Sequence, residues 1–170
     1  MSDEPFTLDQ LYRAIEQHLL GNLSGIKAVT AWPNIKDRIA LPAVFIDMAE
    51  MEPGQDTGTG ETTLICKFEA RIIVDPIRPQ HCQEAAHLAA QLAVLLRMQT
   101  WGVAVEPAEF VQAMQDWTKP ELDGYVVWLV EWTHQIYLGV EQWPWSDELP
   151  EVPEAGGFPV EVVLVPEDSP

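Results

Sequence analysis

The side chains best suited to metal binding in this 170-residue chain lie closest together at His81, Cys82 and His87. Spacings of one and five residues do not put ligands on one helical face, because that requires residues three or four apart. His81 and Cys82 are therefore expected to cap or flank a helix. Asp56 and Glu61 form another pair of potential ligands, but their spacing matches no EF-hand. The sequence predicts no metal site.

Potential nucleophiles lack the neighbours that catalysis requires, namely a base within hydrogen-bond reach and a group that orients the base. Cys66 lies on the apolar face of an expected strand, as small core residues do. No serine lies in a G-x-S-x-G or S-x-x-K context; the serines are Ser2, Ser24, Ser146 and Ser169. The Gly-x-Gly of GQDTGTGE precedes no helix, so no cofactor is predicted. An enzyme with an unrecognised site at His134 or Cys66 stays open as an alternative.

The stretch YVVWLVEWTHQIYLG, from Tyr125 to Gly139, alternates as a strand and places His134 on the same side as Trp128 and Trp132. A lone histidine on an apolar face is typical of a core residue with its hydrogen bonds satisfied. Tryptophans can also act as stacking platforms for nucleic acid, but such platforms accompany a basic groove. With nine Lys and Arg against 27 Asp and Glu, this chain is not expected to form a basic groove. The two tryptophans are therefore interpreted as core or interface anchors.

The charge of the chain is extreme: nine Lys and Arg against 27 Asp and Glu give a net charge of −18. Such a field repels nucleic acid. It serves either solubility or a surface that lies close to a polyanion without binding it. Two cysteines suit a reducing compartment without a disulfide framework. An acidic N-terminus and the lack of an apolar run of about 18 residues predict no targeting signal and no membrane role.

Periodic patterns predict three elements in the first half of the chain. A helical stripe predicts a helix from Leu8 to Leu20, with a capping box at Thr7 and Gln10 and a stop at Gly21. Alternation predicts a strand from Ala43 to Met51 and a return strand over TLICKFEARIIVD, the latter with one buried and one polar face. The glycine-rich segment EPGQDTGTGETT between them is typical of the tip of a long hairpin.

The second half begins with an alanine-rich helix from Gln80 to Met98 that is apolar around much of its circumference and should be buried. The segment Val103 to Trp117 is ambiguous. A strand with Glu109, Val111, Ala113, Gln115 and Trp117 on one face is favoured over a short helix from Ala108 to Met114. These elements predict an α+β fold with a largely antiparallel sheet, two main helices on one face, a long hairpin loop and an extended C-terminal arm.

Two regions are predicted, an α+β domain over residues 1–139 and an acidic, proline-rich arm over residues 140–170. The arm holds eight Asp and Glu and six prolines, and no Lys or Arg follows Lys119. FPVEVVLV, from Phe158 to Val165, has the pattern of a short strand, and such a segment can dock on a neighbour. A loosely ordered tail is the alternative. The residues expected to contact a neighbouring protein are Trp143, Trp145, Phe158, Val160, Val162 and Leu164.

Residues Leu8 to Gly139 resemble the tail terminator and neck proteins of long-tailed bacteriophages. The resemblance lies in the opening amphipathic helix, in LPAVFID before a polar glycine-rich loop, in FEARIIVD before an alanine-rich helix, and in a long final strand ending on IYLG. It implies a virion protein of the tail or neck, assembled in the host cytoplasm. Such proteins form a hexameric ring that caps the tail tube, ends its polymerisation and presents the head-joining surface.

The resemblance also implies the partners: other copies of the chain, the tail tube protein and a head-completion or neck protein. DNA would pass through the ring without specific binding, which suits an acidic lumen. The hairpin tip is the expected lumen-facing or tube-facing loop, through Gly54, Asp56, Gly58, Gly60 and Glu61. The alternatives are another neck, head-closure or sheath-terminating protein, and an acidic cytoplasmic adaptor that binds a basic partner.

Overall fold

A computed structural model describes residues 4–31 and 39–142. Two α-helices pack on a five-stranded sheet with the strand order β1-β2-β3-β5-β4. Only β1 and β2 are parallel, while the other neighbouring strands are antiparallel. The predicted α+β fold is confirmed. The elements are α1 Leu8–Asn22, β1 Ala28–Ala31, β2 Ala43–Pro53, β3 Thr62–Val74, α2 His81–Leu95, β4 Glu109–Gln115 and β5 Val126–Leu138.

Helix α1 begins at the capping box predicted from the sequence. The backbone N–H of Gln10 donates to the Thr7 hydroxyl over 3.3 Å, and the Thr7 N–H donates to the Gln10 side-chain oxygen over 3.1 Å. Two of the backbone donors that every helix leaves unpaired at its start are thereby satisfied. The helix buries Leu11, Ile15 and Leu19 completely against the sheet.

Helix α2 ends three residues before the predicted end at Met98. The backbone turns after Leu96, and Met98 and Trp101 both adopt positive φ values of 54° and 58°. This turn brings Val105 back to an isolated bridge with Ile136 of β5. The apolar spacing continues past the helix because Leu96 still belongs to the core, with 1% of its surface exposed. The apolar spacing beyond Leu95 therefore reports buried side chains and not a helical backbone.

The long pairing of β3 with β5 sets the main core. Its register places Cys66 opposite His134, Phe68 opposite Trp132 and Ala70 opposite Val130. These residues are all buried on the side that the helices cover. Phe68 and Trp132 stack with their ring centroids 5.7 Å apart. The alternation predicted for both strands is confirmed, since opposed residues of an antiparallel pair share one face.

The strand predicted after Val103 is confirmed as β4, but its predicted alternation is wrong. A bulge between Phe110 and Gln112 shifts the register, so that Phe110 lies opposite Trp132 and Ala113 opposite Val130. The bulge inserts Val111 and moves Phe110 to the helix-covered face. Strand β1 was not predicted, since four residues are too short to establish a period.

Neither helix in the described part of the chain has the length and the apolar character needed to span a membrane.

Candidate interaction surfaces

The hairpin of β2 and β3 carries the five loop residues predicted to face a lumen or tube. The tip closes through the Gly54 N–H, which donates to the Thr63 carbonyl over 2.9 Å. Gly58 and Gly60 have φ values of 74° and 84°, in the left-handed region that favours glycine. A Cβ atom on Gly54 would lie 2.5 Å from the Thr63 side chain. The glycines therefore fix the shape of this tip.

Acidic side chains on the hairpin point into solvent. Glu50, Glu52 and Asp56 are exposed, while Glu61 is half-buried. Asp56 accepts the Gly58 N–H over 2.8 Å, and Glu61 accepts the Thr59 hydroxyl over 3.0 Å. Both predicted acids thus help to order the loop and at the same time give its tip a negative field. In residues 4–31 and 39–142, no three His, Cys, Asp or Glu residues are grouped so that they could hold a metal ion.

The described chain ends beside this tip. The Gln142 N–H donates to the Thr59 carbonyl over 2.6 Å, and Gly139 turns the backbone with a φ of 106°. Gln142, the last described residue, therefore lies at the end of the molecule that bears the hairpin. The six predicted arm-contact residues lie outside the described residues; they are Trp143, Trp145, Phe158, Val160, Val162 and Leu164.

His134 is a fully buried core residue whose two ring nitrogens both have partners, as predicted. The indole N–H of Trp101 donates to His134 Nε2 over 2.7 Å. Since an indole nitrogen can only donate, the ring proton sits on Nδ1 and is donated to the Glu106 carbonyl over 2.8 Å. Burial lowers the pKa of His134. The sequence did not reveal its role, which is to hold the segment Trp101–Glu106 against β5.

The sheet face opposite the helices carries an ion-pair network between β3 and the end of β4. Arg71 bonds to Asp116 and to Glu69, each over 2.7 Å. Burial opposes ionisation of Asp116, but hydrogen bonds from Thr118 and Arg71 outweigh it and lower the pKa of the carboxyl group. The network fixes where the chain leaves β4.

A second group of charges holds the middle of β4. Lys67 pairs with Glu131 over 3.0 Å, and the Gln112 amide also donates to the Glu131 carboxylate. Burial again opposes ionisation, yet the bonds from Gln112 and Lys67 lower the pKa of Glu131. These contacts join three neighbouring strands, because Lys67 lies on β3, Glu131 on β5 and Gln112 on β4.

Strand β4 forms one edge of the sheet and presents apolar side chains to solvent. Phe110 is 49% exposed, Val111 48% and Met114 44%, and Trp117 just beyond the strand is 81% exposed. Phe110 lies on the helix-covered face of the sheet and Met114 on the opposite face. Isolated apolar residues are normal on a surface, but exposed apolar side chains on both faces of an open edge strand favour pairing with another chain. The sequence did not show this surface, because edge position depends on the strand order.

A cleft of about 470 Å³ lies beside the start of β4, between Met98, Pro107, Glu109 and Gln135. Glu106, which also lines it, accepts a hydrogen bond from the Tyr137 hydroxyl over 2.9 Å. The cleft borders the apolar edge of β4 and extends the surface available to a partner.

Cys66 does not line this cleft. Its thiol lies in the core, where burial raises its pKa.

No protein-family model and no curated protein matches this chain. Among solved structures, it is similar to a chain of the virion of a native gene transfer agent particle, with 11% identity and a TM-score of 0.45 over 76% of this chain and 90% of that one. It is also similar to a chain in the extended-state sheath/tube terminator of an extracellular contractile injection system, PVC. There the identity is 12% and the TM-score 0.43, over 91% of this chain and 66% of the other.

Proposed function

We propose that this protein is a tail terminator, which forms a ring of identical subunits, with six the expected number, at the end of a tail tube. The ring ends polymerisation of the tube protein and offers a surface to a head-completion or neck protein. DNA passes through its centre without specific binding. The protein acts by assembly and not by catalysis.

The observation that carries the proposal is the acidic hairpin. Its exposed carboxylates Glu50 and Glu52 lie at the end of β2, and Asp56 lies on the loop that glycines hold in a defined shape. A polyanion that moves past such a loop is repelled and stays mobile, whereas a basic loop would retain it. The net charge of −18 extends the same field over the chain.

A ring also accounts for the apolar edge of β4. A contact between this edge and a different surface of the next subunit is heterologous, and such contacts close into a ring when the rotation allows. A partner subunit would remove Phe110 and Met114 from water, which favours association by about 25 cal/mol per Å² of apolar surface.

The experiment combines molar mass with electron microscopy of tail tubes. The full chain is measured by light scattering alone and after mixing with purified tube protein. Rings on one end of the tubes, together with shorter tubes, are expected. A strict monomer in both samples, with tubes left uncapped, would contradict the proposal.

A charge-reversal variant tests the hairpin itself. Glu50→Lys, Glu52→Lys and Asp56→Lys together should leave ring formation intact but make the ring retain duplex DNA in a low-salt gel-shift assay. A matched control reverses three exposed acids outside the hairpin, Glu4, Glu121 and Asp123. Equal DNA retention by both variants would exclude a special position of the hairpin and leave only a net-charge effect.

A further inference from the structure

We propose that the open edge of β4 receives the segment Phe158–Val165 from a second copy of this chain as an added strand. The inference rests on the self-assembly part of the proposed function and names the contact that would join the subunits. Its basis is an apolar strand edge that no described residue covers, and an apolar segment that follows, along the sequence, a last described residue of known position, Gln142.

The acceptor edge has the chemistry of a pairing site. Strand β4 bonds to β5 on one side only, so its outer backbone N–H and C=O groups face outward. Soluble proteins usually protect such an edge with charge or proline. Over Glu109–Gln115 the single charged residue is Glu109, and there is no proline. The bulge at Val111 confines regular pairing to the part of the strand after it.

The donor segment suits such an edge. FPVEVVLV contains six apolar residues, one charge at Glu161, and one proline near its start, where a missing N–H is tolerated. Its alternate residues Phe158, Val160, Val162 and Leu164 would form one face on the added strand. Strand addition of this kind draws affinity from main-chain hydrogen bonds and specificity from alternate side chains.

The place where the described chain ends favours a second copy over the same chain. Fifteen residues, 143–157, separate Gln142 from the segment and span at most about 50 Å. Gln115 lies opposite Trp128, ten residues before Leu138, which is about 33 Å down the sheet from the hairpin end.

The direction of pairing follows from this distance. Strand β4 runs away from the hairpin end, so a segment from the same chain would pair with it in parallel. Antiparallel pairing would require the linker to extend first to the far end of β4, which uses most of its length. A segment from another copy has no such restriction and can pair antiparallel, which is slightly more stable per residue.

Disulfide trapping tests the contact, in full-length chains in which the exposed Cys82 is replaced by serine. One chain carries Met114→Cys only. Its mixing partner carries Val162→Cys or Val163→Cys only, so that both faces of the added strand are sampled. Opposed residues in neighbouring strands lie within disulfide range. We expect a covalent dimer of unlike chains on oxidation, and little product with a Ser146→Cys donor as the matched control.

A chain with both cysteines distinguishes the possible occupants. Covalent multimers up to a closed ring support the inference, whereas a disulfide formed only within single chains would overturn it. No disulfide above the level of the Ser146→Cys control would overturn it as well. Capped tubes without a trapped disulfide would refute this contact but leave the proposed function standing. A trapped dimer without capping would do the reverse.

A charge placed on the edge gives a second readout. Met114→Lys should weaken self-association about tenfold in sedimentation experiments, without lowering the unfolding temperature of the monomer, since lysine on an exposed edge blocks pairing. Ile77→Lys is the matched control, because Ile77 is 87% exposed on the loop between β3 and α2. Equal weakening by both substitutions would contradict the inference.

Discussion

Replacing His134 by glutamine should change how the stability of this protein depends on pH. The neutral ring accepts a hydrogen bond from Trp101 and donates one to Glu106, so a proton added to Nε2 would face the indole N–H and break that bond. Burial also lowers the pKa of His134 in the folded protein. The unfolded chain, with an ordinary histidine, binds this proton more tightly.

The direction and size of the effect follow from proton linkage. Because the folded pKa lies below the unfolded value of about 6.5, the contribution of neutral His134 is fully present above pH 6.5 and is lost as the pH falls toward the folded pKa. The limiting slope is one proton, or about 1.4 kcal/mol per pH unit. That is a large part of a typical unfolding free energy of about 5–15 kcal/mol.

The assay is urea unfolding followed by tryptophan fluorescence at several pH values from 5.0 to 7.5. Asp116 and Glu131, whose pKa values are also lowered, lose their contributions as the pH falls from the unfolded carboxyl values of about 4 toward their lower folded values, which is below this window. Wild type and the exposed-site control His87→Gln should lose stability in parallel as the pH falls. His134→Gln, which cannot titrate, should be less stable at pH 7.5 and show a flatter curve.

Two results would refute this reasoning. One is an unchanged slope in His134→Gln; the other is a wild-type stability that stays constant between pH 7 and 5. If His134→Gln does not fold, Trp101→Phe provides the test. It leaves Nε2 without its donor, which should cost about 1–3 kcal/mol at pH 7.5 and raise the pKa of His134, so that the dependence on pH shrinks.

Three further predictions concern the cap, the hairpin and the cysteines. Thr7→Ala should lower the unfolding free energy by about 1 kcal/mol in denaturant titration, since it removes the capping hydroxyl; an unchanged value would contradict that role. Gly54→Ala should lower the unfolding free energy in the same titration, because the added Cβ would lie 2.5 Å from the Thr63 side chain. An equal or higher unfolding free energy would show that the tip adapts. A thiol reagent should label the exposed Cys82 quickly and Cys66 only on unfolding, since burial hides that thiol and raises its pKa; rapid labelling of both by mass spectrometry would show an open core.

Part of the candidate site could be predicted before the fold was known. The glycines of the hairpin loop and its acids were visible as composition, and the structure places all five predicted loop residues at one tip. Whether that tip faces a lumen or a tube stays a prediction. The arm residues from Trp143 onward also stay a prediction, because they lie outside the described residues.

The sequence by itself determined the local elements. The capping box of α1, the alternation of β3 and β5 and the turn chemistry of the hairpin all depend on residues within a few positions of each other. Such patterns report burial and backbone preference directly. They therefore also predicted the α+β class and the face on which the helices pack.

Only the tertiary structure decided which distant residues meet. Arg71 donates a hydrogen bond to Asp116, which is 45 positions away in the sequence, and His134 accepts one from Trp101, which is 33 positions away. The end of α2, the bulge in β4 and the short strand β1 were missed because each is fixed by pairing partners and not by a local period. The apolar edge of β4 exists only because the chain places β5 between β3 and β4, a choice of strand order that no local pattern encodes.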